Sequence, residues 1–406
     1  MPRHPRLALA IAALLALPAA ALAAEPPAPA PAGFQLEWNA RLRTESVDDD
    51  AFARGADATT LRLRAGLHWH WAAGFSALLE GEGIASTGDR YNSGANGQLA
   101  YPAITDPNGA EWNQAFLAWK GTRTDATLGR QRLLFDNQRW IGNSGWRQNE
   151  QTFDALALDF KPTPTLALRY AFLDRVHRVN GDEAIEHRAR QRALSTHLFN
   201  AAWTPGAQQL VGYAYLQDDR DVATASTATY GLRWSGTHLR RGNGFGWTLE
   251  AARQRDHADN PLSFSHAYWL LEPNYAFHGV TYRAGWEHLG GNGTHALQTP
   301  LATLHAFNGW ADKFTVTPPG GLEGRYLGAG GKFGTGAHAG KFNWGLAWHD
   351  FRADTGGRYG REWDASFGFP LHGPVTGLVK LADYRSDGFA RDTRKLWLQL
   401  EWAGVH

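Results

Sequence analysis

One short segment concentrates the side chains best suited to binding a solute. Residues 129–154 (GRQRLLFDNQRWIGNSGWRQNEQTFD) place Arg130, Arg132, Arg139 and Arg147 within 18 residues. The segment also carries Gln131, Asp136, Asn137, Gln138, Trp140, Asn143, Trp146, Gln148, Asn149, Glu150 and Gln151. Guanidinium groups form paired hydrogen bonds to carboxylates, and planar amides and indoles suit sugar rings. Two interpretations stay open: the segment contacts an anionic solute, or its polar groups satisfy one another at the rim of a barrel.

The segments around it alternate between apolar and polar residues. In residues 34–43 the sequence FQLEWNARLR puts Phe34, Leu36, Trp38, Ala40 and Leu42 on one side and Gln35, Glu37, Asn39, Arg41 and Arg43 on the other. Residues 60–71 repeat the pattern, with Arg62, Arg64, His68 and His70 on the polar side. A period of two residues predicts β-strands.

The same pattern continues along the chain and predicts eighteen strands. They lie at about 34–43, 60–71, 75–85, 111–120, 124–132, 152–160, 165–175, 194–203, 208–217, 226–235, 244–255, 263–272, 278–288, 324–333, 340–351, 360–369, 374–384 and 393–402. Single-chain bacterial barrels have an even strand number, and a tilted strand of about ten residues crosses the membrane. The predicted fold is therefore all-β, a transmembrane antiparallel β-barrel closed between the first and last strands.

The lengths of the connections between strands also support a membrane barrel. Short periplasmic turns are predicted at 72–74, 121–123, 161–164, 204–207, 236–243, 273–277, 334–339 and 370–373. The longest connections, 86–110, 176–193 and 290–323, fall on the other side, as does the Arg-rich loop. Outer-membrane barrels alternate short periplasmic turns with longer extracellular loops.

The N-terminus predicts export. Arg3, His4 and Arg6 precede the apolar stretch 7–17, and Ala21-Leu22-Ala23 forms a small-x-small cleavage pattern. We expect a signal peptide at 1–23, a Pro/Ala-rich tail at 24–33 and the barrel at 34–406, in the outer membrane of a Gram-negative cell. The mature chain has 38 basic and 39 acidic residues and no Cys, which excludes a disulfide framework and argues against a nucleic-acid partner.

With the apolar face toward lipid, the polar face lines a lumen. That face is predicted to carry Glu37, Arg41, Arg43, Arg62, Arg64, Glu80, Glu82, Lys120, Arg130, Arg169, Arg233, Glu250, Arg283, Glu287, Lys341, Glu362, Asp364, Lys380, Lys395 and Glu401. Eighteen strands enclose more space than wall side chains fill, and an Arg-lined path favours anions. The alternative is that these charges pair with one another and hold the wall.

Catalytic arrangements are weak. The sequence has no Gly-x-Ser-x-Gly and no His-Glu-x-x-His motif. His68 and His70 share a strand face but no third ligand is placed beside them, and nothing separates the pKa values of Glu80 and Glu82. We therefore predict no enzyme activity, no cofactor and no metal.

The Arg-rich segment resembles the signature of the alginate export family of bacterial outer-membrane proteins. The resemblance lies in Gly-Arg-Gln at a strand end, Asp-Asn-Gln-Arg-Trp, and Gly-Trp-Arg-Gln-Asn-Glu-Gln-Thr-Phe-Asp. It implies a monomeric 18-stranded barrel whose Arg-lined lumen passes a polyuronate. The signature positions it implies are Arg130, Arg132, Asp136, Asn137, Arg139, Trp146, Arg147, Gln148 and Asn149, with the arginines as substrate contacts. The wall arginines Arg41, Arg43, Arg62, Arg64 and Arg169 complete the predicted binding set.

Three functions are compatible with this sequence. The first is a channel of the alginate-export type for anionic saccharides. The second is a porin-like channel for small sugars or organic anions, narrowed by the Arg-rich loop, and the third is a structural or adhesive barrel with a blocked lumen. The expected partners are outer-membrane lipid, lipopolysaccharide and the barrel-assembly machinery.

Overall fold

The computed structural model describes residues 32–334 and 340–405. The predicted signal peptide and the tail up to residue 31 lie outside the described residues. The strands are β1 Gly33–Asp49, β2 Ala56–His70, β3 Phe75–Thr87, β4 Gly109–Lys120, β5 Thr124–Gln131, β6 Thr152–Thr163, β7 Leu166–His177, β8 Gln191–Trp203, β9 Gln208–Gln217, β10 Thr227–Arg240, β11 Asn243–Asp256, β12 Ser265–Phe277, β13 Val280–Leu289, β14 Leu322–Phe333, β15 Phe342–Arg352, β16 Arg358–Pro370, β17 Thr376–Ser386 and β18 Thr393–Val405. Helical structure in this part of the chain is limited to His187–Arg190 and to 3-10 turns at Ala72–Gly74, Ala223–Ala225 and Leu304–Ala306.

The strands form one closed antiparallel ring. Each pairs with its sequence neighbours, and β1 pairs with both β2 and β18, from Glu37 opposite Val405 to Asp49 opposite Thr393. Closure leaves no unpaired strand edge for lipid to cover. The prediction of an 18-stranded barrel is confirmed.

The two faces of the wall follow the sequence alternation. Leu36, Leu63 and Leu398 point outward and are 45%, 55% and 47% exposed. Arg43 on β1 and Arg62 on β2 have the opposite parity to the leucines of the same strands, so they point inward, and each is 1% exposed. The apolar face therefore meets lipid and the polar face meets the lumen, as the period of two predicts. No helix in the described ranges is long and apolar enough to cross a membrane.

Short turns and long loops lie at opposite ends, here called the turn end and the loop end. Three predicted turns are misplaced, because 161–164, 236–243 and 273–277 are mostly strand. The chain reverses instead at residues 164–165, 241–242 and 278–279. In the second of these turns Arg241 and Gly242 have φ of 53° and 80°. Two-residue turns with positive φ match the strand twist of a hairpin. Of the predicted turn at 334–339, residues 335–339 lie outside the described residues.

The barrel tolerates Pro273 within β12 because its missing N–H falls at an irregular place in the ladder. Pro273 is opposite Trp247 of β11. On the β13 side, the register runs from Leu271 opposite Trp286 directly to Asn274 opposite Arg283. Proline cannot donate to a ladder, so it is accommodated where pairing is interrupted.

Three long loops fold into the barrel from the loop end. We call them L2 (88–108), L3 (132–151, the Arg-rich loop) and L7 (290–321). One buried apolar cluster joins two of these loops to the wall. It contains Leu133 and Ile141 of L3, Leu301 and Phe314 of L7, and inward-facing wall residues such as Leu198. The loop half of the lumen is therefore packed like a protein core, and these loops position the side chains of the candidate site.

Candidate functional site

L3 takes a compact conformation that its neighbours enforce. Asp136, Gln138 and Ser144 all have positive φ, at 50°, 63° and 51°. Residues other than glycine rarely adopt this conformation, and it persists only where surrounding contacts fix it. L3 is thus a shaped element rather than a simple connection between β5 and β6.

L7 provides one set of these contacts. The Gly142 amide donates to the Leu301 carbonyl at 2.9 Å, and the Thr303 amide donates to the Gln138 carbonyl at 3.1 Å. Gln151 Nε2 bridges the carbonyls of Gly142 and Leu301. A Cβ at Gly142 would lie 2.2 Å from Thr303 Oγ1, so only glycine permits this approach. L3 and L7 therefore form one unit inside the barrel.

The arginines of β1 and β2 hold the other side of L3 through its backbone. Arg41 Nη1 donates to the Gly145 carbonyl at 3.1 Å. Arg62 and Arg64 both donate to the Gln148 carbonyl, at 3.3 Å and 3.1 Å. These predicted solute contacts are buried and bind the loop in this structure.

The same wall arginines are also ion-paired. Arg41 lies 3.3 Å from Glu401, and Arg43 lies 3.7 Å from Asp106 of L2. Arg64 pairs with Glu82 and, at 3.1 Å, with Glu150 of L3. A buried charge is stable only when it is paired and hydrogen-bonded, so these pairs fix the loops against the wall.

The arginines of L3 form equally long-range pairs. Arg139 Nε lies 2.7 Å from Glu287 of β13, and its Nη1 donates to Thr299 of L7 at 3.0 Å. Burial is the largest single influence and by itself would lower the pKa of Arg139, but Glu287 and Tyr268 together outweigh it and raise that pKa. Arg132 pairs with Glu80 at 2.8 Å and also with Glu150.

Two cations and one histidine contact the carboxylate of Asp312 in L7. Arg147 and Lys395 lie 2.9 Å and 2.8 Å from it, and His305 Nδ1 is 2.7 Å away. Burial by itself would raise the pKa of Asp312, but His305, Lys395 and Arg147 hold it well below its usual range. This cluster joins L3, L7 and β18.

Trp146 occupies a box of cations and rings. Arg43 and Lys380 lie over its ring at 4.1 Å and 4.0 Å from the centroid, and the His305 ring stacks on it at 4.9 Å. Trp397 completes the box edge-on. Each desolvated cation–π contact of this kind adds a small stabilising free energy, and together they hold the loop in place.

The remaining signature positions divide between the interior and the tip of L3. The Gln148 amide donates to Asp106 at 2.8 Å, and the Asn149 side chain reaches the Arg178 carbonyl at 3.5 Å. Asn137 Oδ1 accepts from the Arg139 amide. Asp136 is exposed at the tip, toward the turn half of the lumen, where Asn200 donates to it at 2.9 Å.

The structure corrects the position of Arg130. Its register partners are Ala115 and Asp154, and it shares the parity of outward-facing Leu128. Arg130 Nε pairs with Asp154 at 3.0 Å on the outer wall. The sequence-based assignment to the lumen assumed that charge faces inward, but a strand end above the lipid tolerates charge on its outer face. Lys341 precedes β15 and is part of a turn.

The turn half of the lumen is more open. Arg169 on β7, Arg233 on β10 and Arg283 on β13 point into it and are 37%, 14% and 25% exposed at the side chain. They pair with Asp159 at 2.6 Å, Glu250 at 2.9 Å and Glu272 at 3.7 Å, respectively. We call these three the arginine arc. Arg169 Nη1 also donates to the Leu134 carbonyl at the tip of L3.

Sequence reasoning missed the contribution of L7. Residues 290–323 were predicted only as an outward-facing loop, whereas His305, Asp312 and Thr303 are central to the packed unit. Their spacing carries no motif, so no local signal identifies them. The wall partners Glu250 and Glu287 were placed in the lumen by strand parity, which is confirmed.

Metal ligation has little support in the described ranges. They contain no group of three or more His, Asp or Glu side chains arranged to hold an ion. The His68 and His70 rings lie 4.0 Å apart in the turn half of the lumen. Their planes are tilted by 37°, and no third ligand lies beside them in this part of the chain.

The fold is similar to outer-membrane proteins of known structure. OpdK of Pseudomonas aeruginosa matches with a TM-score of 0.71 and 13% identity, over 92% of this chain and 99% of that one. OccAB2 of Acinetobacter baumannii matches with a TM-score of 0.74 and 12% identity, over 92% and 98%. OccK9 (OpdG) of P. aeruginosa matches with a TM-score of 0.72 and 15% identity over the same shares. At these identities the likeness establishes the 18-stranded barrel fold.

The family is established by sequence. No curated protein matches the chain. The sequence model described as "Alginate export" matches residues 33–288, which is more than half of the chain and includes the whole of L3. The chain belongs to the alginate export family.

Proposed function

We propose that the protein is a passive outer-membrane channel for small organic anions, including uronates and short oligouronates. The observation that supports this most strongly is the arginine arc. Its three guanidinium groups are partly exposed inside the lumen and lie on every third strand from β7 to β13. Arginine favours carboxylates, and positive groups along a water-filled path favour anion entry.

The packing of L3 and L7 supports a small solute rather than a long polymer. The two loops bury most of the wall charges of the loop half, including Arg43, Arg62 and Glu362. A polyuronate chain would need this packed unit to move before it passed. The structure of OpdK with vanillate, a small carboxylate, concerns a barrel of the same architecture and is in line with this solute class.

Passage of a polymeric uronate is the second candidate, and family membership is what favours it. The two candidates differ in how chain length affects transport. In a narrow channel, monouronates pass and oligouronates block in proportion to their length. In a polymer channel, long oligouronates pass without lasting block.

Planar-bilayer recordings test the proposal. We expect ion conductance with an anion preference. The double variant Arg169→Ala/Arg283→Ala should lose about threefold of that preference, because the interaction of one solvent-exposed charge with an ion contributes less than about 1 kcal/mol. Arg253→Ala, an exposed outward-facing change on β11, is the control and should leave the preference unchanged.

Each outcome decides one point. Cation preference in the unmodified protein, or an unchanged preference in the arc variant, would refute the role of the arginine arc. A complete lack of conductance in folded protein would favour the barrel with a blocked lumen. Block by galacturonate oligomers but not by neutral maltooligosaccharides would support the anionic solute class.

A further inference from the structure

The outer wall near the loop end carries a dense group of arginines on neighbouring strands. We call it the arginine patch. Its members, on β14 to β18, are Arg325, Arg352, Arg358, Arg361, Arg385 and Arg394. They point away from the lumen, so they take no part in the channel described above.

At the centre of the patch, three arginines share one carboxylate. Asp350 is the shared partner of Arg352 and Arg358, each at 2.7 Å, and of Arg361 at 3.6 Å. The Asp350 side chain is 5% exposed, whereas that of Arg361 is 51% exposed. One enclosed carboxylate therefore faces three guanidinium groups. Arg358 has a second partner in Asp387 at 3.2 Å, but within the described residues Arg361 has only the distant contact with Asp350 and is the exposed member of the group.

Strand register places like charges side by side. Arg361 is directly opposite Arg385 across β16 and β17. Like charges directly opposite one another destabilise a sheet unless a counter-ion lies between them. Arg394 is 63% exposed and approaches Asp383 only to 3.7 Å. Arg385 is paired with Asp383 at 2.9 Å and with Asp392 at 3.0 Å, whereas Arg361 and Arg394 have no ion pair shorter than 3.6 Å in the part of the chain that the structure describes. The guanidinium groups of Arg361 and Arg394 therefore remain available to an anion at the surface.

The height of the patch identifies the anion. Trp363 lies two residues from Arg361 along β16, on the same outward face, and pairs in register with Trp348. Tryptophans of barrels mark the boundary between hydrocarbon and headgroups. The arginines begin one step beyond that boundary, on the extracellular side, where the polar groups of outer-leaflet lipid lie.

We propose that the arginine patch binds the phosphorylated sugar headgroup of outer-leaflet lipopolysaccharide. Arginine binds phosphate through two parallel hydrogen bonds, and several arginines around one site bind a multiply charged headgroup. The acyl chains of the same lipid lie against the aromatic and aliphatic residues below, among them Trp363, Leu381 and Leu396. One lipid thus contacts both levels of the wall.

The test measures binding of bisphosphorylated lipid A to delipidated, folded protein in detergent by native mass spectrometry. Arg361→Ala/Arg394→Ala removes the two arginines with the longest ion-pair distances in the patch, so the fold should survive. Heat-dependent gel mobility verifies that it does. We expect about 30-fold weaker binding, since each basic residue near a lipid surface contributes about fivefold. Arg253→Ala/Arg255→Ala, outward-facing on β11, is the matched control and should bind normally.

Further binding measurements distinguish the lipid headgroup from free phosphate as the bound anion. Dephosphorylated lipid A should bind no better to the unmodified protein than to the variant. Excess pyrophosphate should compete only weakly, because it lacks the acyl chains. The proposal is overturned if both double variants bind equally, if phosphate removal has no effect, or if pyrophosphate alone binds as tightly as the lipid.

Discussion

The loop half and the turn half of this lumen are built from the same strands yet use arginine differently. In the loop half, Arg43 and Arg62 are buried and ion-paired and hold L2, L3 and β18 together. In the turn half, Arg169 and Arg283 also have acidic partners but remain accessible. The difference is the presence of L3 and L7, which exclude water from one half.

The contrast shows why an Arg-rich lumen is not by itself a binding surface. A buried guanidinium makes its bonds to the protein, and releasing it for a solute would cost several kcal/mol. An accessible one can exchange its partner for a passing carboxylate at little cost. We therefore expect the solute to bind beside the arginine arc, and we expect L3 to narrow the lumen rather than to bind the solute.

The largest expected effect comes from removing the packed half. Replacing residues 297–316 of L7 by a short Gly/Ser linker should raise single-channel conductance at least about threefold, since an 18-stranded ring without inner loops leaves a wide aqueous lumen. Trimming residues 258–263 between β11 and β12, outside the packed unit, is the control. Equal conductance in the two shortened proteins would show that L7 does not limit the path.

The next effect concerns the Trp146 box. Trp146→Ala removes the contacts with Arg43, Lys380 and His305, and should lower the free energy of unfolding by about 3 kcal/mol. Urea unfolding in detergent micelles, followed by far-UV circular dichroism, measures it. Trp363→Ala on the lipid-facing wall should cost less, and a larger loss there would contradict the view that the interior packing dominates.

The strands are predictable from sequence because their signal is local. The alternation of Leu36, Trp38 and Leu42 with charged residues predicts both the strand β1 and the side of it that faces lipid. The interior of the loop half depends on distant pairs, such as Arg139 with Glu287, 148 residues apart, and Arg147 with Asp312, 165 residues apart. No pattern in one sequence encodes those partners, so the packing of L3 could be anticipated only as one of two alternatives.

Acid should loosen L3 through Glu150. Burial opposes ionisation, but Arg132 and Arg64 lower the pKa of this carboxyl from 4.5 to about 2. Its contribution to loop stability is therefore complete above pH 4.5 and is lost as the pH falls toward 2. Hydrogen exchange of residues 143–151, corrected for intrinsic rates, should quicken by up to about tenfold per pH unit in that window. Glu150→Gln should show little pH dependence; a dependence equal to that of the unmodified protein would assign the effect elsewhere.

The smallest effect is expected at the boundary between the two halves, where Asp136 faces the accessible lumen. The carboxyl of Asp136 reaches the lumen, but the surrounding wall removes part of its water, and this desolvation raises its pKa above the ordinary 3.8. As the pH falls through that raised value, Asp136 loses its negative charge, so the anion preference of the channel should increase. Asp136→Asn should show the higher preference already at neutral pH, by about twofold to threefold for one wet charge. Reversal potentials measure it, with Asp174→Asn on the exposed outer end of β7 as the control. If Asp136→Asn leaves the preference unchanged at every pH while the arginine arc variant lowers it, the solute path runs beside the arc but away from the tip of L3.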